Sequence, residues 1–102
     1  MGTYTGKARL INHVKISALA VKQLRRLPFF IVDKFYLWKR SVEDIGLGKV
    51  REIPGYHDEK LIGNHRGQRS IRLNKSYRAI YEVTSDGTVT FVRVVEVNNH
   101  EY

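Results

Sequence analysis

Residues 69–97 read RSIRLNKSYRAIYEVTSDGTVTFVRVVEV, three strand-like runs separated by two short breaks. Arg69 to Leu73 alternates basic or polar with apolar side chains, the two-residue period of a half-buried strand. Tyr77 to Thr84, YRAIYEVT, has the β-branched and aromatic content of a second strand. Ser85-Asp86-Gly87 is a turn signal, with Gly87 able to take positive φ. Thr88 to Val97 is a nearly continuous apolar run, as in a strand covered on both faces and central in its sheet. Side-chain alternation then assigns the faces. Tyr77, Ala79, Tyr81 and Val83 make the better core set, which leaves Arg78, Ile80 and Glu82 on an open face. In the preceding strand Ile71 and Leu73 face the core, so Ser70 and Arg72 join the open face. Arg72 and Arg78 are thus expected to share one concave, positive surface.

Upstream the period changes. Leu10 to Ser17 is expected as a first strand, although Leu10, His13, Val14 and Ile16 alternate poorly. Ser17 suits the N-cap of a helix from Ala18 to Arg26, with Leu19, Leu24 and Leu27 buried and Lys22, Arg25 and Arg26 in water. Pro28 fits the first turn of a second helix, where its missing N–H costs nothing. Ile31, Phe35, Trp38, Val42 and Ile45 step by four and three and form one apolar stripe, and Gly46 fits the position that ends the helix. For Trp38, Phe29, Phe30 and Tyr36 core packing is expected rather than stacking on bases. Leu47 to Tyr56, with Gly48, Pro54 and Gly55, reads mostly as loop. A strand, two helices and a meander make an α+β fold: an antiparallel sheet of about four strands with two N-terminal helices on one face.

The 102 residues suffice for one domain, 1–102, with one core. Apolar residues are 42% and charged residues 27%, which excludes a disordered chain. No apolar run approaches the ~20 residues of a membrane span, and MGTYTGKARLINH lacks the apolar stretch of a secretion signal. There are no cysteines, which excludes disulfides and thiolate metal sites and fits a cytoplasmic location. Lys and Arg number 18 against 10 acids, a net charge of +8. Six of these cations, Lys60, Arg66, Arg69, Arg72, Lys75 and Arg78, fall in a stretch that holds no acid between Glu59 and Glu82. Such concentration favours a face for a polyanion over charge spread for solubility.

Two guanidinium groups on one face suit a phosphodiester, since each offers a planar fork of donors and a permanent charge. RNA carries its own nucleophile, the 2′-OH. An enzyme acting on it needs a base for that proton, cations for the phosphorane charge and an acid for the leaving 5′ oxygen. Glu59 is the candidate base, Arg72 and Arg78 the clamp, His100 the acid, and Tyr102 a stacking or phosphate-positioning group. Lys60, Arg66, Arg69 and Lys75 are candidate RNA contacts. Four histidines without regular ligand spacing argue against a zinc site, and no cofactor is expected. From spacing alone, RNA binding without chemistry ranks at least as high as catalysis.

The stretch KLIGNHRGQRSIRLNKSYRAIYEV (60–83), followed by VTFVRVVEVNNHEY (89–102), resembles the RelE/ParE superfamily of bacterial toxin–antitoxin toxins, and is most like its RelE- and HigB-type mRNA interferases. The ordered features are Leu61 to Gly63, Arg69 to Leu73, Tyr-Arg-x-Ile-Tyr at 77–81, a final strand and a terminal His-x-Tyr. QLRRLP at 23–28 and FIVDKFYLWKRSVEDIGL at 30–47 fit the early helices of the same family. The resemblance implies a compact α+β domain, cleavage of mRNA in the ribosomal A site, and a tightly bound antitoxin, a small DNA-binding protein that covers the basic face. It places Glu59 near a position that carries a catalytic carboxylate or histidine in some members. Arg72 and Arg78 fall on phosphate-binding positions, and His100 and Tyr102 on the terminal acid and stacking group. Here Glu101 separates the last two, which are adjacent in some relatives. The ParE branch shares the fold, poisons DNA gyrase and lacks a nuclease set. A gyrase inhibitor of that type, or a non-catalytic binding module, is the alternative.

Overall fold

The computed structural model describes residues 10–99. In chain order they form β1 (Val14–Ile16), α1 (Ala18–Leu24), α2 (Phe29–Ile45), α3 (Leu47–Val50), β2 (Glu59–Lys60), β3 (Arg69–Arg72), β4 (Arg78–Asp86) and β5 (Val89–Asn98). Single 3-10 turns at Pro54–Tyr56 and Gly63–His65 flank β2. The strands make one sheet in the order β1-β5-β4-β3-β2. The α+β architecture is the expected one. The sheet differs in having five strands and being mixed, because β1 lies parallel to β5 while the other pairs are antiparallel. With β1 only three residues long, its alternation is too short to reveal a partner.

Ser17 joins the helices to the sheet. Its Oγ accepts the Ala20 N–H at 3.0 Å, capping α1, and donates to the Val95 carbonyl at 2.7 Å. That carbonyl belongs to a β-bulge. Ile80 pairs with Glu96 and Tyr81 with Val94, so Val95 is an extra residue on β5. The bulge inverts the side-chain parity of the strand's last turn. Val92 and Val94 pack in the helix-side core, and so does Val97; Glu96 and Asn98 are thereby turned to the opposite face.

Ile31, Phe35, Trp38 and Val42 of α2 are buried as the stripe predicts, and Trp38 packs on Tyr81 with ring centroids 5.4 Å apart. Ile45, the last residue of the expected stripe, is exposed. Other expectations also change. Phe29, Phe30 and Tyr36 lie outside the core, Phe29 being 77% exposed, because they fall off the 31–35–38–42 line of the helix. Leu19 and Val83 are exposed as well, whereas Leu24 is buried and Leu27 packs at the core's margin. α1 stops at Leu24, two residues short of Arg26, and Pro28 stands as the residue before α2 rather than within it. The segment expected as loop contains α3 and buries Leu47, Val50 and Tyr56. No helix among the described residues is long and apolar enough to cross a membrane.

Candidate active site

The hairpin of β3 and β4 sets the site. Asn74 Oδ1 accepts the N–H groups of Ser76 and Tyr77 at 2.7 and 2.8 Å, and the Leu73 N–H donates to the Tyr77 carbonyl at 2.9 Å. This turn fixes the register, which puts Arg72 directly opposite Arg78. Arg78 in turn lies opposite Asn98 on β5. The row Arg72–Arg78–Asn98 therefore crosses one end of the sheet on the face away from the helices. The next row on that face is Glu59–Ser70–Ile80–Glu96.

The side chains link the two rows. Arg78 donates to Ser70 Oγ at 2.7 Å and lies 3.6 Å from Glu59 Oε2. Its side chain is 19% exposed and that of Glu59 57%. Ser70 is buried, as is Ile80, although both face away from the helices. Asn98 donates to Glu96 at 2.5 Å, and its Oδ1 is buried without a hydrogen-bond partner among the described residues. Like charges directly opposite one another on a sheet repel, so Arg72 and Arg78 side by side favour an anion between them. The Glu59 contact to Arg78 is loose and solvent-facing, and a phosphate oxygen can replace it.

Charge on this face is mixed: Glu82 stands where alternation places it, and the acid-free stretch gains further carboxylates from the strands beside it. Glu59 enters from β2 and Glu96 from β5, while Glu82 lies on β4 itself and pairs with Arg93 at 3.4 Å. The open face thus alternates guanidinium and carboxylate groups.

Arg69 does not join the site. It points to the other side of β3, where its Nε lies 2.5 Å from Asp58 Oδ1. Asp58 Oδ2 accepts the Tyr81 hydroxyl, also at 2.5 Å. The Asp58 side chain is 1% exposed and that of Arg69 18%. Burial lowers the Arg69 pKa, but the hydrogen bond and charge of Asp58 outweigh it and leave the guanidinium above its ordinary value. Burial, and then the hydrogen bond and charge of Asp58, push the Tyr81 hydroxyl far up. Lys60, Arg66 and Lys75 are exposed, Lys75 at the hairpin tip. Lys60 and Arg66 line a cavity of about 370 Å³, and Glu59, Lys60, Leu61, Ile62 and His65 line another of about 360 Å³ that adjoins the site. His100 and Tyr102, the candidate acid and stacking group, lie outside the described residues. Missed in the sequence were Glu96 and Asn98, which the bulge aims at the site, and Asp58, whose alternation with Glu59 was the available signal.

No family model and no curated protein matches the sequence. Solved structures do. YafQ from E. coli superposes with a TM-score of 0.68 at 14% identity, covering 87% of this chain and 93% of that one. The YoeB–YefM complex from Staphylococcus aureus gives 0.65 at 21% identity, covering 87% and 97%. The archaeal RelE–RelB complex from Pyrococcus horikoshii gives 0.64 at 24% identity, covering 88% and 96%. The chain has the fold of these proteins, the RelE/ParE toxin fold, over nearly the whole length of each.

Proposed function

We propose that the protein is the toxin of a type II toxin–antitoxin system and acts as a ribosome-dependent endoribonuclease on mRNA. The observation that carries this reading is the cross-strand pair Arg72 and Arg78, flanked on the same face by Glu59, with Arg78 3.6 Å from its carboxylate. A face made only to dock a polyanion gains nothing from carboxylates beside its arginines. A phosphodiester-cleaving site needs both. Arg72 and Arg78 hold the non-bridging oxygens and take up the charge of the phosphorane. Glu59 accepts the proton of the 2′-OH as that oxygen attacks phosphorus. The bond from phosphorus to the 5′ oxygen breaks, and His100 gives that oxygen its proton, with Tyr102 stacking on a base. The products are a 2′,3′-cyclic phosphate and a 5′-hydroxyl. Lys60, Arg66 and Lys75 steer the RNA and ribosome toward the site. The fold likeness to proteins solved as toxin–antitoxin complexes supports a cognate antitoxin as partner.

The test is a translation reaction with purified ribosomes in which the 5′ ends of the message are mapped. Wild type is expected to cut within codons, and Arg78→Ala to abolish the cuts while keeping its far-UV spectrum. An uncut message with wild-type protein on translating ribosomes would leave the gyrase-inhibitor or plain binding reading in its place.

A further inference from the structure

The candidate base stands on the least supported strand of the sheet. β2 has two residues, Glu59 and Lys60, sits at the sheet's edge and, among the described residues, pairs with β3 alone. Edge strands this short fray unless something else ties them down. Here the preceding residue does so. Asp58 is turned inward, opposite in direction to Glu59, and both of its carboxylate oxygens are held: one by Arg69 of β3, the other by Tyr81 of β4. The Tyr81 ring in turn packs against Trp38 of α2. A continuous path of contacts thus runs from the helix-side core to the residue beside Glu59.

The backbone leading into β2 fits the same purpose. His57 has φ 47° and ψ 51°, a left-handed conformation that residues with side chains rarely adopt. It follows the 3-10 turn at Pro54–Tyr56, whose Tyr56 is buried with the Lys34 ammonium 5.3 Å from its ring centroid. An unfavourable left-handed residue persists where the surroundings hold it, and here they hold it just before the buried carboxylate.

Building on the reading of Glu59 as the base, we propose that Asp58, Arg69 and Tyr81 form a positioning lock that holds β2 so that Glu59 stands beside Arg78. None of the three touches RNA. They act through Glu59, and loosening them lowers the rate of cleavage without weakening binding of the message.

Asp58→Asn strips the charge from a buried pair and disturbs Arg69 and the fold's stability as well as β2, so the deciding variant is Tyr81→Phe. It keeps the ring on Trp38 and the Asp58–Arg69 pair and removes one charge-assisted hydrogen bond. Two readouts are combined. The first is amide hydrogen exchange. The Leu61 N–H, bonded to the Gln68 carbonyl at 2.9 Å just past β2, is expected to exchange about tenfold faster, while the Leu73 N–H at the other end of β3 is unchanged. The second is single-turnover cleavage on programmed ribosomes. Tyr81→Phe is expected to lower the maximal rate about tenfold with half-saturation unchanged, and to cause no further loss when added to Glu59→Gln. Equal exchange at Leu61 in both proteins, or a loss that multiplies with that of Glu59→Gln, would overturn the lock. A wild-type protein that cuts nothing would refute the nuclease reading instead, and the exchange rates would still decide whether the lock holds β2.

Discussion

Replacing Asp58 with Asn tests the energetics of the site's foundation. The substitution conserves shape and removes one charge. In the native protein that charge lies 2.5 Å from Arg69 Nε, in a side chain 1% exposed. Removing one partner of a buried ion pair costs about 3–5 kcal/mol, because the other charge stays behind uncompensated. Arg69 keeps 18% exposure, so water relieves part of the penalty and the lower end applies, about 3 kcal/mol. The Tyr81 hydroxyl can turn from donor to acceptor toward the new amide, so its bond adds little to the loss. Small domains have about 5–15 kcal/mol in total, so the variant is expected to fold at 25 °C with much of its margin gone. In a urea titration followed by circular dichroism, a slope of about 1.5 kcal/mol/M converts this to a midpoint lower by roughly 2 M, with the slope itself unchanged. A midpoint within about 0.5 M of wild type would show that the pair behaves like a surface salt bridge and refute its buried role.

Three further outcomes concern the fold. The Tyr81 hydroxyl is raised far above its ordinary 10.0 by burial and by Asp58, so above pH about 10 the unfolded chain releases a proton that the folded one keeps. The associated stability is whole below that pH and is lost as pH rises beyond it; the urea midpoint is expected to fall there, and less steeply in Tyr81→Phe, whereas parallel falls would contradict the assignment. Ser17→Ala removes both the α1 cap and the donor to the Val95 carbonyl, for a loss of about 2 kcal/mol by urea titration, with Ser17→Thr retaining most of it. Gly46→Ala forces a side chain onto φ 89° with its Cβ 2.8 Å from Leu10 Cδ2, and a melting curve is expected to show a loss of about 1 kcal/mol or more.

The parts of the molecule that depend on local patterns were legible in the sequence. Ser17 announced the start of α1, the 31–35–38–42 stripe gave the buried side of α2, and parity within one hairpin was enough to place Arg72 and Arg78 together. What stayed hidden depends on contacts between distant segments. The parallel pairing of β1 with β5 involves residues nearly eighty positions apart. The β5 bulge, which moves Glu96 from the core parity to the open face, is marked in VRVVEV only by a change of phase, since Arg93 and Glu96, three residues apart, share a face only if the strand bulges between them. For the same reason an acid-free stretch of sequence did not become an acid-free surface: strands bring in carboxylates from outside it. Aromatic content alone also misled. Phe29 and Phe30 are as apolar as Phe35, but only Phe35 lies on the helix line that meets the sheet.

The chemistry of the cut ends distinguishes attack by the 2′-OH from attack by water. Message recovered from translating ribosomes treated with the protein should carry new 5′-hydroxyl ends, labelled by a polynucleotide kinase without prior phosphatase treatment. The matching upstream fragments should end in 2′,3′-cyclic or 3′ phosphate. Both should vanish with Arg78→Ala. New ends bearing 5′ phosphates would mean that water, not the 2′-OH, attacked the phosphorus, and would contradict the roles given to Glu59, Arg72 and Arg78.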